Sequence, residues 1–170
     1  MIWLGILAGV VLIFGIVVVR GAPYVPSHRR DIRQALTDLY PISQDDVLID
    51  LGSGDGVVLR IASGLGARAI GYEINPILIV LSRFLSRSDP RVGVVLKDFW
   101  LTELPDDTTV VYAFTVTRDL KKMIAKLQHE AARLGRPIDF IIYGNSLPGY
   151  EPLKSRGAYF LYRFHPLQSL

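Results

Sequence analysis

The chain opens with an unbroken apolar stretch and then alternates between short apolar runs and amphipathic segments. Residues 2–19 (IWLGILAGVVLIFGIVVV) carry no polar side chain. Eighteen helical residues at ~1.5 Å each span ~27 Å, and the hydrocarbon layer of a bilayer is ~30 Å thick. The pattern therefore predicts one N-terminal transmembrane helix, with residues 1–20 as a membrane anchor.

A cleaved signal peptide is the alternative interpretation of this stretch. No basic residue precedes the apolar run and no small-residue cleavage site follows Val19, so a retained anchor is favoured. The arginines that follow the run are Arg20, Arg29, Arg30 and Arg33. Because positively charged flanks stay on the cytoplasmic side, we expect the rest of the chain in the cytoplasm, or in the mitochondrial matrix if the protein is eukaryotic.

Residues 21–40 predict a proline-containing connector that leads into a helix. From residue 41 onward, runs rich in Val, Ile and Leu alternate with helical segments, which is typical of a mostly parallel sheet covered on both faces. The predicted strands are Val47–Leu51, Arg68–Glu73, Val92–Lys97, Thr109–Phe114, Asp139–Tyr143 and Ala158–Phe164. Helices are predicted over about 28–39, 57–63, 76–87 and 119–134. The fold class is therefore α/β, with six to seven strands in one domain over residues 41–170.

Composition and charge exclude several classes of protein. The chain has 170 residues, of which 50% are hydrophobic and 21% charged, and no cysteine. The absence of cysteine excludes a disulfide scaffold, a thiol nucleophile and any Cys-ligated metal site. The three histidines lack a metal-ligand spacing, so no metal site is predicted. A net charge of +3 without a Lys/Arg block gives no indication of nucleic-acid binding.

The candidate chemistry lies in the turn after the first predicted strand. Residues 50–56 (DLGSGDG) stand there, and Glu73 ends the next strand. In open parallel sheets, ligands bind at the carboxyl ends of the strands. Glycines let the backbone approach a ligand closely, the following helix offers N–H groups to an anion, and Glu73 can accept two hydrogen bonds from ribose hydroxyls. These residues predict a site for a nucleotide-type cofactor.

Two classes of cofactor use this geometry. An NAD site requires G-x-G-x-x-G, and the position of its third glycine is occupied here by Val57. The glycines at 52, 54 and 56 are instead evenly spaced and follow Asp50, which resembles the D-x-G-x-G-x-G pattern of class I S-adenosylmethionine-dependent methyltransferases. The resemblance implies a Rossmann-like sheet with S-adenosylmethionine as the cofactor. A glycine-rich turn that binds nothing is a further alternative.

The resemblance also implies roles for individual side chains. Glu73 would hold the ribose, Asp98 would meet the adenine amino group, and Phe99 would pack near the adenine. Asp50 would lie near the amino end of the methionine part. The residues expected to bind the cofactor are Asp50, Gly52, Ser53, Gly54, Gly56, Glu73, Asp98 and Phe99. A solvated loop acid is the alternative interpretation of Asp98.

Three motifs narrow the resemblance. They are Asp-Leu-Gly-Ser-Gly-Asp-Gly (50–56), Gly-Tyr-Glu-Ile-Asn-Pro (71–76) and Leu-Ser-Arg (81–83). Together they are similar to the small membrane-tethered protein lysine methyltransferases, whose eukaryotic members act on the c-ring protein of ATP synthase. The resemblance implies a protein substrate, such as a small membrane protein, with a lysine as methyl acceptor. It thins after Trp100, where substrate residues lie, and Val57 stands where the family usually has Arg.

The acceptor site has three aromatic candidates. Tyr112 and Phe114, at the carboxyl end of the fourth predicted strand, are expected to flank the accepting amine with their ring faces. Tyr24 on the connector is expected to close over the same cleft. Core packing is the alternative interpretation of Phe114. For the function as a whole, the alternatives are a methyltransferase for a lipid-phase small molecule and a non-catalytic cofactor-binding module.

Overall fold

A seven-stranded sheet organises residues 28–166, the part of the chain that the computed structural model describes. The strands are β1 (Val47–Leu51), β2 (Arg68–Glu73), β3 (Val92–Leu96), β4 (Val110–Phe114), β5 (Ile138–Tyr143), β6 (Lys154–Arg156) and β7 (Tyr159–Phe164). Their spatial order is β3-β2-β1-β4-β5-β7-β6. The first five strands are parallel, whereas β7 and β6 form an antiparallel edge. The predicted α/β class is confirmed as a mixed, Rossmann-like sheet.

Four α-helices connect the strands within residues 28–166. They are α1 (Arg29–Gln34), α2 (Val57–Gly64), α3 (Pro76–Leu85) and α4 (Leu120–Leu134). Asn75 caps α3, because its side-chain oxygen accepts the Ile77 N–H at 3.0 Å and Pro76 suits the first helical turn. Gly135 ends α4 with a left-handed φ of 65°, as a glycine after a helix commonly does.

The two faces of the sheet pack against different helices. One layer combines Leu48 and Val110 of the sheet with α1, α2 and Ile79 of α3. The other combines Ile49 and Val111 with α4. Because side chains alternate along a strand, Asp50 shares its face with Leu48 and therefore points into the layer of α1 and α2. This alternation determines which residues can meet at the carboxyl edge of the sheet.

The structure corrects the sequence analysis at both ends of the described range. Lys154–Arg156 form β6, a strand that was not predicted because its three residues are exposed and carry no apolar pattern. The leading helix was predicted to continue to residue 39, but α1 ends at Gln34 and continues as a π-helical turn, Ala35–Leu39. The predicted membrane anchor, residues 1–20, and residues 21–27 of the connector lie outside the described residues. Among residues 28–166, no helix combines the length and apolar character needed to cross a membrane.

Candidate functional site

The glycine turn, residues 52–56, lies at the carboxyl end of β1 and is held against β2. The backbone N–H groups of Gly52 and Ser53 both donate to the Tyr72 carbonyl, at 2.9 and 3.1 Å. Gly52 and Gly56 have φ values of 88° and 79°, a region that side chains with a Cβ rarely adopt. The glycines singled out from the sequence are therefore required by the backbone path of the turn.

Two glycines also make room for serine side chains. A Cβ on Gly71 of β2 would collide with the Ser53 side chain and lie 2.7 Å from Leu59 Cδ1, and a Cβ on Gly56 would collide with the Ser82 hydroxyl. The glycine turn therefore packs directly on β2 and α3. The sequence analysis missed the role of Gly71, although the residue belongs to the motif at 71–76.

A matched pair of alanine variants tests this close packing. Gly52 has a φ similar to that of Gly56, but nothing lies within 4 Å of a Cβ added there. We expect Gly56→Ala to lower the free energy of unfolding by about 1–3 kcal/mol more than Gly52→Ala, the range for an overpacked interior. Urea denaturation measures both. Adding Ser82→Ala to Gly56→Ala should recover part of the difference, and equal losses in the two single variants would contradict the contact.

Glu73 binds three backbone amides at the end of β2. Its Oε2 accepts the Gly54 N–H at 2.9 Å, and its Oε1 accepts the N–H groups of Ile74 and Asn75, both at 2.8 Å. A carboxylate offers about four acceptor positions, so one position, on Oε2, is left for a ribose hydroxyl. The predicted contact with two hydroxyls therefore requires the second hydroxyl to compete with the Gly54 N–H. Glu73 thus couples the shape of the turn to whatever occupies the site.

Asp50 is a buried acid without a partner. Its exposed fraction is 3%, and its carboxyl forms no hydrogen bond or ion pair within the described range, residues 28–166. Burial raises the pKa of Asp50 well above its ordinary value, and the negative charges of Glu73 and Asp55 raise this pKa further. A cation placed beside Asp50 would favour the ionised carboxylate. The position therefore suits a positively charged group of a ligand.

The start of α2 is not arranged to bind a phosphate, contrary to the expectation that its N–H groups are free for an anion. The Val57 N–H donates to Asp55 Oδ1 at 3.1 Å, and Asp55 also forms an ion pair with Arg60 at 3.4 Å. Three acids, Asp50, Asp55 and Glu73, surround the turn and interact with one another. An anionic pyrophosphate would be repelled here, whereas a cofactor with an ammonium group and ribose hydroxyls fits.

Asp98 and Phe99 follow β3 and lie beside the end of β2. The Lys97 N–H donates to the Glu73 carbonyl at 3.0 Å, which holds this loop near the glycine turn. Asp98 Oδ1 accepts the Trp100 N–H at 2.9 Å, and the rings of Phe99 and Trp100 have centroids 4.5 Å apart. The arrangement leaves Asp98 Oδ2 for a ligand. Contacts of these two residues with an adenine stay a prediction.

The acceptor candidates on β4 lie on the same face of the sheet as Asp50. Tyr112 pairs in register with Asp50 of β1, and it is buried, with 2% of its surface exposed. Phe114, one step nearer the carboxyl edge, is half-buried. Of these two, Phe114 has the more accessible ring. The third candidate, Tyr24, lies outside the described residues.

The structure adds two aromatic residues that the sequence analysis missed. Phe114 pairs in register with Tyr143 of β5, which pairs with Tyr159 of β7. The ring centroids of Phe114 and Tyr143 are 5.8 Å apart, and those of Tyr143 and Tyr159 are 4.6 Å apart. No local pattern could reveal this row, because it depends on the order β4-β5-β7. We call Phe114, Tyr143 and Tyr159 the aromatic row.

These features together define a class of protein. A seven-stranded sheet with an antiparallel β7, an acid and glycine turn after β1, and an acid at the end of β2 are the features of a class I methyltransferase. The solved structure of an RNA methyltransferase from Salinibacter ruber, in complex with S-adenosyl-L-homocysteine, has the same fold. It aligns with a TM-score of 0.74 at 23% identity and covers 86% of this chain and 96% of that chain.

Sequence relatives are more specific. A lysine N-methyltransferase from Xenopus laevis, named for the c-ring protein of ATP synthase, is 33% identical over 122 residues, which are 68% of this chain and 51% of that protein. A protein-lysine N-methyltransferase from Saccharolobus islandicus is 31% identical over 113 residues, 64% of this chain and 69% of that protein. The chain belongs to the protein-lysine N-methyltransferase family. No protein-family model matches it.

Family membership confirms the resemblance seen in the motifs, and with it S-adenosylmethionine as the cofactor. The described residues fit this group, because Asp50 offers a buried negative charge and Glu73 a remaining acceptor position. The chain spans about half the length of the ATP synthase methyltransferases that it matches.

Proposed function

We propose that this chain is a membrane-anchored methyltransferase that transfers a methyl group from S-adenosylmethionine to a lysine of a membrane protein. The observation that carries the proposal is the buried, unpartnered Asp50 within an acidic glycine turn. A lysine acceptor is supported by relatives that are named for lysine methylation of the ATP synthase c-ring protein. Anchoring is supported by the apolar residues 2–19.

The aromatic row is the surface best suited to receive the lysine. When bound, S-adenosylmethionine supplies an electrophilic methyl group that a neutral amine can attack. Phe114 and Tyr143 would surround the amine with apolar ring surface, and such surroundings lower the pKa of an amine and so favour its neutral form. Their ring faces also attract a cation, which suits the positive methylated product.

Tethering explains how such an enzyme would find its substrate. The eight residues between the apolar segment and His28 span at most roughly 28 Å when extended. The site would therefore stay close to the bilayer, on the cytoplasmic or matrix side. Confinement to the same membrane raises the effective concentration of a membrane substrate.

The deciding experiment is transfer of a tritiated methyl group into membranes. The full chain is incubated with labelled S-adenosylmethionine and membranes, and proteins and lipids are then separated. We expect label in a small membrane protein, recovered as N-methyllysine after acid hydrolysis. Label in the lipid fraction would instead establish a lipid-phase acceptor. No transfer, with cofactor binding intact, would establish a binding module without turnover.

A substitution in the aromatic row separates catalysis from cofactor binding. Phe114→Leu keeps apolar volume but removes the ring face. We expect kcat for methyl transfer to fall about tenfold, in line with the strength of a desolvated cation–aromatic contact, while the Kd for S-adenosylmethionine is unchanged. Transfer assays and calorimetry measure the two quantities. Unchanged kcat would show that Phe114 only packs the core.

A further inference from the structure

Helix α3 turns most of its apolar side chains away from the protein. Of its ten residues, only Ile79 and Ser82 are buried. The large apolar side chains that are 42–69% exposed are Ile77, Val80, Leu81, Phe84 and Leu85. Four of them form a shallow groove together with Pro76. A contiguous apolar patch of this kind on a small domain marks an interaction surface. We call these five residues the α3 face.

The charges around the α3 face are mainly basic. Residues 76–85 contain no acid, and Arg83, Arg87 and Arg91 lie at or beyond the carboxyl end of the helix. The Arg87 guanidinium lies 4.5 Å from the centre of the Phe84 ring, and Arg83 donates to the Val94 carbonyl at 2.8 and 3.0 Å. An apolar helix face with a basic border is typical of helices that lie in the interface of an anionic bilayer.

The acid nearest to this border is held inside the protein. Asp89 Oδ2 accepts the Ser63 hydroxyl at 2.6 Å, and Asp89 Oδ1 accepts the Arg91 N–H at 3.1 Å. Its carboxylate is therefore engaged with α2 and with its own loop. The exposed charges next to the α3 face are the guanidinium groups of Arg87 and Arg91, so the border is attractive to anionic headgroups.

The α3 face lies in the same layer as the start of the described chain. Ile32 of α1, Leu59 of α2 and Ile79 of α3 pack in one core cluster on one face of the sheet. The chain enters this layer at His28, and the apolar residues 2–19 end eight residues earlier. The connector spans at most roughly 28 Å. A bilayer that holds residues 2–19 is therefore within reach of this layer.

We propose that the α3 face docks into the interfacial region of an anionic phospholipid bilayer, as a second attachment besides residues 2–19. This inference rests on the membrane anchoring in the proposed function. Because α3 begins three residues after Glu73, docking sets the edge of the cofactor site against the membrane surface. A lysine just outside the bilayer core would then be presented directly to the site.

Site-specific fluorescence quenching tests the docking. The chain has no cysteine, so single-cysteine variants can be labelled without side reactions. The full chain carrying Val80→Cys is labelled and reconstituted into vesicles of equal phosphatidylcholine and phosphatidylglycerol with a spin-labelled lipid. Ala125→Cys, an exposed position of α4 on the other face of the sheet, is the matched control. We expect at least about twofold stronger quenching at position 80, because interfacial helices sit among the acyl chains.

Each outcome of this measurement supports or overturns the docking. Equal quenching at the two positions would overturn it. A probe at position 80 that is shielded from aqueous iodide but not quenched by spin-labelled lipid would also overturn it, since residues 2–19 or a second copy of the chain would then cover the face. The readout needs no methyl transfer, so it stands or falls independently of the enzymatic activity.

A surface variant connects the docking to substrate choice. The triple variant Ile77→Ser, Val80→Ser, Phe84→Ser removes apolar surface that contacts neither Asp50 nor the aromatic row. We expect several-fold slower transfer to a membrane-embedded substrate, with the Kd for S-adenosylmethionine and the circular dichroism spectrum unchanged. Transfer to membranes at the wild-type rate would overturn the functional role of the α3 face.

Discussion

Asp50→Asn is expected to weaken S-adenosylmethionine binding while making the cofactor-free protein more stable. Asp50 is buried and unpartnered in residues 28–166, so its ionised form is costly until a cation lies beside it. Asn has the same shape and no charge. We expect the Kd to rise about 10–100-fold, since a hydrogen bond to a charged group contributes about 1.5–3 kcal/mol. We expect the free energy of unfolding to rise by about 1–3 kcal/mol.

The same residue predicts how both quantities depend on pH. The pKa of Asp50 is raised in the folded protein, so its contribution to stability is fully present below the ordinary Asp pKa and is lost as pH rises through the raised value. An adjacent ammonium group lowers the pKa of Asp50 in the complex. Cofactor binding therefore releases a proton and strengthens as pH rises through the raised value.

Calorimetry in two buffers of different ionisation enthalpy measures the proton release, and thermal unfolding across pH measures the stability. Asp50→Asn should abolish both pH dependences. If the variant binds S-adenosylmethionine with wild-type affinity, Asp50 does not contact the cofactor. If the variant unfolds, as judged by circular dichroism, Asp50 is structural.

Glu73→Ala is expected to disrupt cofactor binding and the glycine turn together. The substitution removes the acceptor of three backbone N–H groups as well as the acceptor proposed for the ribose. Each hydrogen bond to a charged group contributes about 1.5–3 kcal/mol. We therefore expect the Kd for S-adenosylmethionine to rise at least about 10–100-fold. The free energy of unfolding should fall by a comparable amount.

Glu73→Gln is the matched control for this variant, because it keeps the length of the side chain. Its amide oxygen can still accept from Ile74 and Asn75, but its NH2 group meets the Gly54 N–H as a second donor. We expect most of the folding stability to return and much of the binding defect to persist. Titration calorimetry and urea denaturation separate the two effects. Wild-type affinity in both variants would refute the ribose role of Glu73.

Elements defined by contiguous residues could be predicted from the sequence. Strands β1 and β2 begin and end where expected, since each is an apolar run bounded by polar or glycine residues. The cap of α3 also follows from its own residues, because Asn75 bonds an amide two positions away. The glycine turn is likewise local, and its acid and glycine pattern was sufficient to indicate the family.

Features that depend on residues far apart in the chain could not be predicted. The three exposed residues of β6 carry no apolar signal and form a strand only by pairing with β7. The expected free amide of α2 was wrong, because Asp55 occupies it. Sequence spacing also left open whether Glu73 was free to bind a ribose, since its three amide partners are a property of the folded turn.

The sequence by itself determined the α/β class, the positions of the main strands and the chemical type of the cofactor turn, because short-range periodicity and backbone requirements decide them. Only the tertiary structure decided the environment of the side chains. It buries Asp50 beside two other acids, aligns Phe114 with Tyr143, and leaves the apolar side chains of α3 outside. Burial, charge and neighbours across strands depend on strand order and layer packing, which join residues distant in sequence.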